Sequence, residues 1–208
     1  MPCLVLTGYP SAGKTFVAET IGKLALELPE IDSVVHIHEG TACQGLTVEQ
    51  SYADSLAEKK TRGALKATFD IAVAKCNKKT LIIFDSLNYI KGYRYELHCI
   101  SKAAGERHGI VWVWTDSAQC HKWNETRQTN RYSRELLDAL VSRYEPPDDR
   151  NRWDKPLFRI ETGVATSAAR SLENSVYDMH KLSSVLGSTK VESSTEQMAA
   201  PKPKKSAF

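Results

Sequence analysis

Residues 8–15 read GYPSAGKT and follow the apolar run CLVLT (3–7). After them Phe16, Val17, Ile21, Leu24 and Leu28 fall on or near one helical face. The octet satisfies G-x-x-x-x-G-K-[ST] without a gap. A strand before it and an amphipathic helix after it separate a phosphate-binding loop from a chance match in a Gly/Ser turn. Gly8 and Gly13 let the backbone wrap closely around an anion. Successive N–H groups and the helix N-terminus then point at it. Lys14 reaches the β/γ-phosphates, and the Thr15 hydroxyl is a ligand for Mg2+, a cation that takes oxygen donors. Gly8, Tyr9, Pro10, Ser11, Ala12, Gly13, Lys14, Thr15 and Phe16 are therefore assigned to the nucleotide.

Outward from this loop, further apolar runs recur: SVVHIH (33–38), TLIIFD (80–85), GIVWVWTD (109–116) and PLFRIE (156–161). Helix-compatible spans cover 48–76 and 94–107. Near-continuous apolar strands alternating with helices predict a parallel sheet covered on both faces. The class is α/β, a doubly wound parallel five-stranded sheet. Asp85 ends the third strand, at the edge where such sheets present ligands. In P-loop NTPases an aspartate there holds magnesium, directly or through water; the alternative is a surface aspartate capping the next turn. Glu39 ends the second strand, where a carboxylate can act as a base or orient an acceptor, unless it is a solvated loop residue. His36 and His38 read as strand-packing or surface side chains.

Residues 117–145 carry no strand and read as helix, stopped by EPPDD because proline cannot continue it. Arg127, Arg131 and Arg134 are spaced four and three apart, and Asn124 precedes Arg127 by three. On a helix these share one face. Arginines between the fourth and fifth strands suit a lid that closes over a triphosphate and neutralises developing charge. Arg127 and Arg131 are the candidates for that role. The alternative is a solvated helix in which Glu125 and Glu135 pair with them. The tract RYEPPDDRNRWDKPLF (143–158) suits the base or ribose, although Trp153 serves equally as a core anchor. No guanine-type N-K-x-D signature is present, which points to ATP.

The 208 residues, 41% hydrophobic and 25% charged, suit one globular domain with a real core. A net charge of +3 is mild, so any basic site must be local. The five cysteines form no CxxC pair, so no zinc site is expected and a reducing compartment fits. MPCLVLTG lacks the basic lead-in of a signal peptide, and no run reaches about 18 apolar residues, so no membrane contact is expected. A monomer in cytoplasm and nucleus is the expectation. From Gly187 onward the composition turns Ser/Thr/Lys/Pro-rich and closes with AAPKPKKSAF. Residues 1–186 are thus taken as the domain and 187–208 as a disordered linker or truncated end.

The stretch LIIFDSLNYIKGYRYE (81–96) divides at Asp85. Past it, Tyr89, Lys91, Arg94 and Tyr95 offer ring faces for stacking and cations for phosphates, unless the tyrosines pack the sheet edge. Glu96 is placed to cap the following helix or to pair with Arg94.

GYPSAGKT, DSLNYIKGYRYELHC (85–99), NETRQTNR (124–131) and RYEPPDDRNRWDKPLF, in this order and spacing, resemble the family of killer-toxin-insensitivity protein twelve. The resemblance covers roughly residues 1–165. It implies a P-loop kinase-like NTPase domain using ATP and Mg2+, kin to the kinase that phosphorylates seryl-tRNA on the selenocysteine route. It also implies chromatin association, tRNA binding, and ATPase service to the Elongator complex in modifying wobble uridines of tRNA. By motif match, Lys14, Thr15 and Asp85 carry nucleotide and metal, and Arg127 and Arg131 fall in the family's lid. Members carry a further C-terminal domain that helps bind tRNA, where this sequence has its Lys/Pro-rich end. Two other readings share the same loop: a kinase acting on an RNA-linked or small hydroxyl, and a nucleotide-gated binding module.

Overall fold

The computed structural model describes residues 1–163. Its five strands are β1 (Pro2–Thr7), β2 (Ser33–Ile37), β3 (Thr80–Asp85), β4 (Arg107–Trp114) and β5 (Leu157–Glu161). All pair in parallel, in the order β2-β3-β1-β4-β5. The predicted doubly wound sheet is borne out. The proposed boundary at residue 187 lies outside the described residues.

Side chains alternate between faces along each strand. Leu4, Leu6, Leu81 and Ile83 therefore pack with Val17, Ala18 and Ile21 of α1 (Lys14–Ala25). Cys3, Val5, Ile82 and Phe84 face the other way. There they meet Leu65, Phe69 and Val73 of α4 (Ser55–Lys75) and Leu97 of α5 (Lys91–Ala103). With both faces covered, every residue of β1 and β3 is buried, which is why residues 3–6 and 81–84 are apolar without interruption.

Two predicted helices are each divided. The span 48–76 becomes α3 (Val48–Tyr52) and α4, because the Asp54 carboxylate accepts from the Leu56 and Ala57 N–H groups, both at 2.8 Å, and starts a new helix. The span 117–145 becomes α6 (Ser117–Thr126) and α7 (Arg134–Ser142). Between them Asn130 takes a left-handed conformation (φ 53°), and the Ser133 hydroxyl caps α7. A short helix, α2 (Glu39–Ala42), follows β2, and a 3-10 turn spans Arg152–Asp154. α7 lies over the C-terminal end of the sheet, its Leu137 and Leu140 packed with Tyr52, Leu87, Tyr89 and Tyr132. Among the described residues no helix is long and apolar enough to cross a membrane, and all five cysteines are free.

Candidate nucleotide site

The phosphate loop is packed tightly from behind. A Cβ on Gly8 would stand 2.3 Å from the Val113 carbonyl oxygen, so only glycine fits there. Ser11 (φ 58°) and Gly13 (φ 86°) are both left-handed and turn the chain into α1. The Ala12 carbonyl accepts from the hydroxyl of Thr162, just past β5, at 2.8 Å and from that of Thr115, just past β4, at 3.4 Å. Lys14 folds back across the loop, donating to Tyr9 O at 2.7 Å and Gly8 O at 3.2 Å. Burial pushes the Lys14 ammonium below its usual pKa, against the opposing pull of Asp85 and Glu39. The side chain of Phe16, also assigned to the nucleotide from sequence, projects to solvent and is 72% exposed.

Asp85 is buried at the end of β3, and its Oδ2 accepts from the Thr15 hydroxyl at 2.7 Å. A surface capping role is thereby excluded. The same oxygen lies 3.2 Å from His36 Nε2. Two hard oxygens side by side at the head of a phosphate loop fit Mg2+. Among the described residues no group of three or more His, Cys, Asp or Glu could cage a metal alone, so phosphate and water would complete the coordination. The place of His36 beside Asp85 has no sequence signal, since it depends on β2 lying next to β3. His38 does the local work of a cap: its Nδ1 accepts from Gly40 N at 3.1 Å.

Glu39 is half-buried rather than solvated. Its Oε1 accepts from Tyr52 OH at 2.6 Å and Ser86 Oγ at 2.7 Å. Tyr52 and Tyr132, both buried, lie with ring centroids 6.3 Å apart. Burial, then the Glu39 charge, drives both phenol pKa values upward, so both stay neutral. Tyr52, like His36, escaped the sequence reading.

The three arginines do not share a helix face. Arg127 caps the end of α6, Arg131 lies in the intervening loop, and Arg134 opens α7. The helical-face prediction fails because Asn124 turns its amide onto the backbone of Tyr132, with Oδ1 3.0 Å from Tyr132 N and Nδ2 2.8 Å from Tyr132 O. That pairing competes with continued helix. All three arginines are exposed, and among the described residues none is ion-paired, so Glu125 and Glu135 do not partner them. The Arg127 charge is nonetheless felt at Lys14. The loop is tied to α3: Glu49 accepts from Ser133 N at 2.8 Å and Ser133 Oγ at 2.7 Å, and Asn130 Oδ1 accepts from Val48 N at 3.3 Å. Trp123 of α6 is a further residue that sequence reasoning missed. Its indole would lie 4.0 Å from a Cβ on Gly13 and 3.0 Å from one on Gly163, between the phosphate loop and the exit of β5.

The four residues expected to face a nucleic acid divide into two pairs. Arg94 is fully buried and ion-paired with Asp154, and Tyr89 is buried with its hydroxyl 2.7 Å from Glu58 Oε2. Neither is a surface contact, because each satisfies a buried carboxylate. Lys91 and Tyr95 are exposed and flank Trp153, with Lys91 Nζ 5.5 Å and the Tyr95 ring 5.2 Å from the indole. Trp153 thus supports this patch. Glu96 pairs with Lys66 at 2.7 Å, not with Arg94.

The family model described as "Chromatin associated protein KTI12" matches residues 1–206. The curated Protein KTI12 homolog of Danio rerio is 43% identical over 162 residues, 77% of this chain and 57% of that protein. Protein KTI12 of Saccharomyces cerevisiae is 35% identical over 169 residues, 78% of this chain and 52% of that one. The chain therefore spans about half the length of the curated relatives it matches. Chaetomium thermophilum Kti12, solved in complex with ADP-AlF3, is 27% identical with a TM-score of 0.69 over 89% of this chain and 99% of that one. A gluconokinase from Sinorhizobium meliloti shares 15% identity at a TM-score of 0.59, over 89% of this chain and 95% of the other, which shows the fold alone.

Proposed function

The chain belongs to the KTI12 family of chromatin-associated proteins, and from that premise we propose that it is a monomeric, Mg2+-dependent ATPase, stimulated by tRNA, that serves the Elongator complex in cytoplasm and nucleus. The observation that carries the reading is the 2.7 Å contact of Thr15 with Asp85 beside Lys14, at the head of a complete phosphate loop. A bound Mg2+ on these two oxygens would supply charge neutralisation at the β- and γ-phosphates. Lys14 exchanges its carbonyl contacts for phosphate oxygens on binding, which relieves a buried charge lacking a counter-anion of its own. Arg127 and Arg131, free of carboxylate partners among the described residues, bring positive charge to the transferring group. The ADP-AlF3 complex of the fungal relative supports a nucleotide at this fold position.

Water is favoured as the acceptor by the surroundings of Glu39. Its Oε1 is taken by Tyr52 and Ser86, and the buried Tyr52 and Tyr132 rings fill the space beside it. The ties from Glu49 and Asn130 hold the arginine loop against α3, whose Tyr52 closes on Glu39. A small nucleophile suits these surroundings better than a bulky alcohol. The exposed Lys91 and Tyr95, backed by the half-buried Trp153, support a nucleic-acid partner, since rings and cations together serve bases and phosphates.

γ-Labelled ATP incubated with the chain, with and without bulk tRNA, tests the proposal. Free phosphate that rises with tRNA is the expected result. Label appearing covalently in RNA would make the chain a kinase. Binding without phosphate release would leave a nucleotide-gated module.

A further inference from the structure

We infer that Asn124 is a positioning residue for ATP hydrolysis, clamping the arginine loop to the phosphate loop. The role rests on the reading of Arg127 and Arg131 as the groups that meet the γ-phosphate.

Asn124 lies in the last turn of α6 and is buried. Its side chain makes a two-bond pair with the backbone of Tyr132, eight residues on. Residues 125–131 are thereby closed into a loop whose base is one amide. The same Oδ1 accepts from the Ser11 hydroxyl at 3.4 Å, and Ser11 is itself buried in the left-handed turn of the phosphate loop. The Asn124 carbonyl also accepts from the Arg127 N–H at 3.3 Å. One residue thus touches the phosphate loop, fixes the start of the arginine loop and closes its end.

The chemistry needs an asparagine. Tyr132 presents one donor and one acceptor, and a primary amide answers both in one plane. Aspartate accepts from the N–H but cannot donate to the carbonyl. Alanine leaves both backbone groups, which are buried here, without partners. The arginine side chains are exposed and, among the described residues, meet no carboxylate; the loop that carries them is fixed by this base, by the ties from Glu49 to Ser133 and from Asn130 to Val48, and by the Arg127 bond to the Asn130 carbonyl at 3.3 Å. Preorganised cations stabilise a transition state far better than cations that must be ordered during the reaction.

The test is a kinetic cycle on the chain with saturating bulk tRNA. Asn124→Ala and Asn124→Asp are each made in the native sequence and in an Arg127→Ala/Arg131→Ala background. Thermal melting confirms folding, and Asn124→Asp, which keeps the side-chain volume, carries the measurement if the alanine variant does not fold. The expected loss in the native background is about tenfold to a hundredfold in kcat, with KM for ATP little changed. In the arginine-less background the same substitution should cost almost nothing more, because its route of action is already gone. Equal losses in both backgrounds, or a raised KM with kcat intact, would overturn the inference. A native chain that binds ATP but releases no phosphate would instead remove the proposed ATPase function, and this role with it.

Discussion

The Arg94 guanidinium and the Asp154 carboxylate meet at 2.9 Å with neither side chain exposed to solvent. Arg94 also donates to the carbonyls of Asn88 at 3.0 Å, Glu145 at 2.8 Å and Pro146 at 3.3 Å. Asp154 Oδ2 accepts from Asp148 N at 3.1 Å and from Asn151 Nδ2 at 3.2 Å. One buried pair therefore fastens the proline-rich tract after α7 to the first turns of α5. Arg94→Ala strands the Asp154 charge and is expected to cost about 3–5 kcal/mol, read from the urea midpoint. A variant of unchanged stability and reduced RNA affinity would return Arg94 to the surface role its sequence suggests.

Lys91 and Tyr95 should behave in the opposite way. Lys91→Ala is expected to leave stability within about 0.5 kcal/mol while weakening tRNA binding. If Lys91 meets a phosphate, the slope of log affinity against log salt should flatten by about 0.7–0.9. Fluorescence anisotropy across a salt series checks both, and an unchanged slope would exclude the contact.

Lys14→Ala and Asp85→Asn should each lower ATP hydrolysis by at least about 10²-fold. Lys14 carries a second consequence. Burial depresses its pKa, so the ammonium costs stability at neutral pH while no phosphate is present. Lys14→Met is therefore expected to raise the melting temperature of the nucleotide-free chain. A lower melting temperature would show that the carbonyl contacts outweigh the burial of charge.

His108 sets a pH dependence remote from the nucleotide. It is buried, its Nδ1 lies 3.1 Å from Ser101 Oγ, its Nε2 has no hydrogen-bond partner among the described residues, and its ring stands 5.1 Å from that of His98. Burial, then the His98 and Lys102 charges, pushes its pKa from 6.5 down to about 3. The unfolded chain takes up the proton near 6.5 and the folded chain only near 3. Stability should thus fall as pH drops through that interval, by about 1.4 kcal/mol per unit. Urea midpoints between pH 7 and pH 5, where carboxylates stay ionised, should show the slope, and His108→Gln should flatten it.

What sequence could reveal followed the range of each interaction. The phosphate loop, Asp85 and the strand alternation are local patterns, and all three stand where the sequence puts them. Arg94 and Tyr89 were misplaced because the partners that bury them, Asp154 and Glu58, lie 60 and 31 residues away. The arginine segment was misread for a different reason. Helical spacing registers which residues would share a face, but not a side-chain amide that closes on the backbone eight residues later. His36 and Tyr52 reach their sites only through the order of strands and the docking of α3, which no single stretch encodes.

Thr162 reaches the phosphate loop from the far end of the described chain. Its hydroxyl holds the Ala12 carbonyl from a point one residue beyond β5, where the polypeptide leaves the sheet. That bond works as a latch between the loop and the exit of the chain. A nucleotide that shifted Ala12 would load the latch, and a pull on the chain at Gly163 would reach the same carbonyl. If both events act on the Thr162 bond, thermodynamic linkage requires each to alter the energetics of the other by an equal amount.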